Sequence, residues 1–219
     1  MPTSAANYTK VLIQNFIPLL REHCLGRLLG ARDDAGNPRE FSIDELDGIR
    51  IGQERLYRHQ VIRFNYTTYD MRRDQDSVNP RTHPDILLRS PHDSDDHPYA
   101  YARVLGIFHA MVSYHGPGST HETRKPRRLD LLWVRWFEYA SIHPSGFQHR
   151  ALPRVFFPDA LDPDEQPFGF VDPELVIRAS YLMPAWDHGK TSDEYLATSK
   201  LARQDTDDTQ DFEYYYVCM

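Results

Sequence analysis

The sequence predicts a mostly β fold of the α+β class: a small β-barrel with an N-terminal helical segment and long loops. Three observations carry that prediction. Two aromatic-rich runs, YAYARVLGIF at 99–108 and LDLLWVRWF at 129–137, have largely apolar residues on both alternating faces, the pattern of strands buried on both sides. The loop between them is rich in Gly, Pro and basic residues, so the pair reads as a long-armed hairpin. Sixteen prolines among 219 residues argue against long helices, because each fixes φ and removes a backbone donor.

Residues 1–56 read as the helical segment. Pro18 suits a first helical turn, which places a helix start near Asn15 or Phe16. Leu19, Leu20, His23, Cys24, Arg27 and Leu28 then fall near helical spacing, and Gly30 supplies a stop. After a polar loop at 31–39, Ser42 and Glu45 form a capping-box pattern that opens a very short helix ending at Gly48.

Residues 57–186 form the expected barrel. Tyr57, Val61, Ile62 and Phe64 mark a strand over 56–65, and the polar stretch up to Ile86, Leu87 and Leu88 reads as turns. HDSDDHP at 92–98 is a charged loop. In the strand at 129–139, Leu131, Trp133, Arg135 and Phe137 share one face; Leu132, Val134 and Trp136 share the other. Shorter strands are expected at 155–157 and 175–182. Residues 187–219 are an acidic tail that closes with the strand-like FEYYYVCM. A strand of Phe212, Tyr214, Tyr216 and Val217 must pair inward or continue into a longer parent, and the longer parent is the expectation.

Composition narrows the function classes. A formal net charge of −7 works against global nucleic-acid affinity while leaving local patches open. Two cysteines, Cys24 and Cys218, exclude a disulfide framework and a zinc site built from four cysteines. No run approaches the roughly 18 apolar residues of a membrane span, and no signal-peptide h-region is visible at the N-terminus. A reducing intracellular setting follows as the expectation, which leaves the sequon Asn65-Tyr66-Thr67 unused.

Most motifs that suggest chemistry lack its spacing. His92, Asp93, Asp95, Asp96 and His97 are metal-compatible, but neighbouring loop residues rarely aim at one centre, so a solvated acidic loop is the reading. His109, His115, His121 and Glu122 match no H-E-x-x-H or H-x-E…C-x-x-C pattern and read as surface residues. Gly189-Lys190-Thr191 resembles the end of a P-loop, yet Pro184 stands where the first glycine is needed. Gly116-Pro117-Gly118-Ser119 lacks the G-x-S-x-G elbow and reads as a turn. Asp70, Asp74, Asp76 and Asp85 are not set in the strand–helix alternation that a two-metal nuclease needs. No metal site and no cofactor are expected.

Two features keep functional weight. Arg124, Lys125, Arg127 and Arg128 put four cations on the hairpin loop, able to contact phosphates, serve in nuclear import or keep a β-edge soluble; Arg72 and Arg73 extend the patch if the loops converge. Trp136, Tyr139 and Tyr101 are the residues for an aromatic cage that would hold a cation by cation–π attraction, against the alternative that they are core.

Two resemblances bear on function. YARVLGI, LLWVRWF, RVFFPD and PELVIRASYLMPAW follow one another as the strands of bromo-adjacent homology (BAH) domains do, which implies an SH3/BAH-like barrel and a methyl-lysine cage. From about Leu20 onward the chain also resembles uncharacterised fungal proteins that accompany transposable elements of the CACTA/Plavaka type, with NYTTYD and RRDQDSVNPRTH the most specific strings. That resemblance implies a mobile-element protein with a nuclear role. The resulting expectation is a non-catalytic interaction module that binds a protein or chromatin partner (a histone peptide among them) or nucleic acid, but no membrane. The competing expectations are a metal-dependent enzyme using the His-rich loops and a structural domain of a transposase.

Overall fold

A computed structural model of the chain describes residues 4–30, 39–90, 97–146, 148–159, 166–191 and 211–218. Helix α1, Ser4–Leu29, begins well before Asn15, so Pro18 lies inside it rather than in its first turn. An internal proline removes the bond to the carbonyl four residues back. Packing overrides that cost, because Leu20, Cys24 and Leu25 are fully buried within the next two turns. Gly30, at φ 99°, ends the helix and donates its N–H to the Gly26 carbonyl at 2.9 Å. The short helix α2, Ile43–Asp47, carries the expected capping box: the Ser42 hydroxyl accepts from Glu45 N–H, and Glu45 accepts from Ser42 N–H at 2.9 Å. Gly48 closes it.

The rest is β-structure. The strands are β1 (Ile49–Ile51), β2 (Tyr57–His59), β3 (Ile62–Thr67), β4 (Arg73–Val78), β5 (Asp85–Arg89), β6 (Tyr99–Tyr114), β7 (Arg127–Tyr139), β8 (Arg154–Phe156), β9 (Phe168–Val171), β10 (Val176–Ala179), β11 (Tyr181–Pro184) and β12 (Tyr215–Cys218). The hairpin β6–β7 is the spine, antiparallel along its length. The other edge of β6 pairs with β5 near its start and with β2 and β1 further on; the other edge of β7 pairs with β9 and then β8.

The mostly β expectation holds, whereas the closed barrel does not. The hydrogen-bonded path runs β10-β5-β6-β7-β8-β12-β11 and stops. Its two ends are consecutive in the chain: β10 pairs with β5, the strand is interrupted at Ser180, and β11 pairs with β12. A 16-residue strand is also too long to serve one small barrel, so β6 spends its second half beneath α1. The terminal strand β12 pairs inward on both edges, with β8 and β11.

Three other expectations shift. The single strand at 56–65 is two, β2 and β3, which pair with different partners. The polar stretch after it contains β4, paired with β3 as a separate hairpin. The alternation over 99–108 is interrupted by a bulge at Leu105, between the pairs Val104–Val134 and Gly106–Trp133. The bulge moves Leu105 and Ile107 into different clusters, since an extra residue reverses the faces.

The spine has three cores. One face packs against α1 through Leu129, Leu131, Trp133, Ala110 and Val112. The same face, toward Tyr101 and Phe137, is covered by β8 and β12. The opposite face buries Val104, Ile107, Leu132 and Val134 beneath the β3–β4 hairpin and β10. The N-terminal segment shares this core through α1, from Phe16 onward, and through Ile49 of β1. Among the described residues no helix is long and apolar enough to cross a membrane.

Candidate functional site

Tyr101, Tyr139 and Trp136 do not converge. Trp136 stands on the face of Ala102 and Val134, over Gly169, where an added Cβ would lie 2.9 Å from its Nε1. Tyr101 and Tyr139 belong to the opposite face with Phe137. The reason is positional: 136 and 139 differ by an odd number on a regular strand. Tyr101 is 2% exposed, and its buried hydroxyl finds no hydrogen-bond partner among the described residues; burial raises its pKa far above the ordinary phenol value. Tyr139 donates or accepts a hydrogen bond with Ser145 Oγ at 2.6 Å and stacks on His97 at 4.4 Å. The remainder of the HDSDDH loop, 92–96, lies outside the described residues, as does most of the acidic tail, 192–210.

Two of the four cations of the basic loop are ion-paired within it. Arg124 donates twice to Ser119 Oγ at 3.0 Å, Lys125 pairs with Glu122 at 2.7 Å, and Arg128 pairs with Asp130 at 2.8 Å. Arg127 alone of the four extends without such a partner among the described residues. Arg72 is held in the β3–β4 turn by Asp70 at 3.0 Å.

The other sequence motifs resolve into structure. Asp85 pairs with Arg103, Asp76 accepts from Ala179 N–H at 3.1 Å, and Asp74 accepts from Tyr66 at 3.2 Å, so these acids serve separate places. Lys190 bridges to Phe212 rather than opening a phosphate cradle. His121 lies beside Glu122 on the exposed loop, and His115 meets Ser113 Oγ at 3.1 Å.

Two arrangements went unanticipated. The first is a cluster on the face opposite α1: His109 on β6, Asp130 opposite it on β7, and His59 on β2, with one ligand atom of each within 4.8 Å of the others. His59 Nε2 and His109 Nδ1 are 2.6 Å apart. Tyr57, directly across from His109, stacks on its ring at 4.8 Å and 12°. Burial, then the Arg128 guanidinium and the His59 ring, hold His109 below the ordinary imidazole value, against a pull upward from Asp130. Only His109 attracted notice in the sequence, because the cluster is set by strand register across 50 residues and no local spacing encodes it.

The second is a set of exposed apolar residues along β10, β11 and the 3-10 turns that flank them: Leu175 at 65%, Ile177 at 41%, Tyr181 at 55%, Met183 at 37% and Trp186 at 65% exposure. Acidic Glu174 and Asp187 flank it and are themselves exposed. The alternation of this run was readable as a strand; that its apolar side faces outward was not.

Comparison of the chain with protein-family models, with curated proteins and with solved structures returns no match in any of the three.

Proposed function

We propose that the chain is a non-catalytic interaction module whose partner is a basic protein segment. The exposed run Leu175, Ile177, Tyr181, Met183 and Trp186 carries this reading. Scattered apolar residues are ordinary on a surface, but five large exposed ones between Leu175 and Trp186 are a denser set than that background. Trp and Tyr are also the residues that most often dominate binding energy. The flanking acids and the net charge of −7 favour a cationic partner over a polyanion. Glu122 and Asp130 pair with two of the four cations of the basic loop and reduce its pull on phosphates, so protein is favoured over nucleic acid. The resemblances to BAH domains and to fungal mobile-element proteins supply the setting, a chromatin-associated partner in the nucleus.

Titration with a histone-tail peptide and with duplex DNA over a salt series tests this reading. Saturable peptide binding is expected, weakened roughly thirtyfold (about 2 kcal/mol) by Trp186→Ser combined with Tyr181→Ser. Binding to DNA alone, or peptide binding indifferent to both substitutions, overturns it.

A further inference from the structure

We propose that His59, His109 and Asp130 form an open binding site for a divalent transition-metal ion of the Zn2+ class. The side chains come from three neighbouring strands, β2, β6 and β7, and lie on one face. Asp130 faces His109 directly, at the roughly 4.5–5.5 Å Cβ spacing of opposed residues, and His59, paired with Ile107, is the diagonal neighbour of His109 at about 7–8 Å, a gap its long side chain spans. Regular strands also hold ligands more firmly than loops do, which separates this cluster from the histidines of the 115–122 connection. Two imidazoles and a carboxylate are a nitrogen–oxygen set that suits Zn2+ and its neighbours in the first transition row.

The contact between the rings is the second observation. His59 Nε2 and His109 Nδ1 face each other at 2.6 Å, so either one nitrogen donates a proton to the other or a cation takes that proton's place. With zinc–nitrogen bonds of about 2.0–2.1 Å in tetrahedral geometry, the two nitrogens separate to about 3.3 Å. That opening needs only a small rotation of His59 on its three-residue strand, while Tyr57 keeps the His109 ring in plane. Binding moves the proton of the donor ring to its other nitrogen, leaving both facing lone pairs for the ion. Asp130 supplies the third ligand, and water completes the shell at the half-exposed surface. Arg128, 2.8 Å from Asp130 Oδ1, is the competing cation.

Zn2+ titration of the chelator-treated full chain, followed by calorimetry, tests the site. One equivalent is expected. His59→Gln and His109→Gln each weaken it by at least the roughly tenfold that losing a ligand's outer support costs elsewhere. His115→Gln and His121→Gln leave it unchanged. Arg128→Gln tightens it, a sign that a folding defect cannot imitate. Zn2+ binding that is absent, or that survives both ligand substitutions, or that follows His115 and His121 instead, overturns the proposal.

Discussion

Arg103 and Arg135 stand directly opposite each other across β6 and β7, two like charges that survive because each has its own acid. Asp85 holds Arg103 with two bonds, at 2.8 and 3.1 Å, and Asp211 holds Arg135 at 2.7 Å. Phe157 stacks on Phe137 at 4.0 Å and takes the Arg135 guanidinium on its ring at 3.8 Å. Phe137, Phe157 and Tyr215 all lie within 5.4 Å of the Arg103 guanidinium. Removing one partner of such a pair leaves an uncompensated charge, so Asp85→Ala should cost about 3–5 kcal/mol in urea unfolding. Replacing both partners, as in Asp85→Leu with Arg103→Met, should recover most of that loss. A residue of the opposite kind is Gly48, whose φ of −70° suits any amino acid. Space is what requires glycine there: an added Cβ would lie 2.5 Å from Gly116 Cα and 2.7 Å from the Tyr114 ring. Because backbone must move, Gly48→Ala should lower stability by about 1–3 kcal/mol, measured the same way.

At the scale of elements, α2 has five residues and depends on its cap. The Ser42 backbone and hydroxyl bonds, with Arg39 beyond them, hold the Glu45 carboxyl below the usual carboxylate range. A carboxylate lowered in the folded state contributes stability above its unfolded pKa and loses it as pH falls through the folded one. Melts between neutral pH and about pH 3 should therefore show an acid loss that is smaller in Glu45→Gln; equal losses would mean the cap is idle. This cap was legible because Ser42, Glu45 and Gly48 lie within two helical turns and encode it without help. The spine was legible for a related reason: β6 and β7 alternate on their own, and their faces follow from counting. What counting missed was nonlocal. The bulge at Leu105 depends on how β6 meets β7, and β4 is a polar strand whose only signal is its pairing with β3. Trp136 and Tyr139 fall on opposite faces because their positions differ by an odd number, a parity legible in the sequence itself. The metal-ligand cluster, by contrast, required knowing that β2 lies beside β6.

Across the whole molecule, the docking of α1 is where acid should act through a buried histidine. It covers Trp133, Leu131 and Ala110 with Phe16, Leu20, Cys24 and Leu25, so its docking completes one of the three cores. His23 sits in that interface beside Phe170, its Nε2 buried without a hydrogen-bond partner among the described residues. Burial, reinforced by Arg27 and opposed by Asp172, pushes its pKa down to about 4. An imidazole lowered in this way takes up a proton on unfolding. The docked state is thus fully favoured above the ordinary imidazole value near 6.5 and loses up to roughly 3 kcal/mol as pH falls toward about 4. That window lies above the one set by Glu45, so the two can be separated. Cys24, one residue along, reports the event, since burial pushes its thiol up to about 12 and keeps it inert while α1 is docked. Half-buried Cys218 serves as the internal reference. With dithiodipyridine, which reacts in acid as well as at neutral pH, Cys24 should be labelled faster relative to Cys218 at about pH 5 than at about pH 7.5. His23→Leu should abolish that acceleration while leaving labelling at the higher pH little changed. A Cys24 rate that ignores pH in the parent chain, or an acceleration that persists in His23→Leu, would separate helix docking from this histidine.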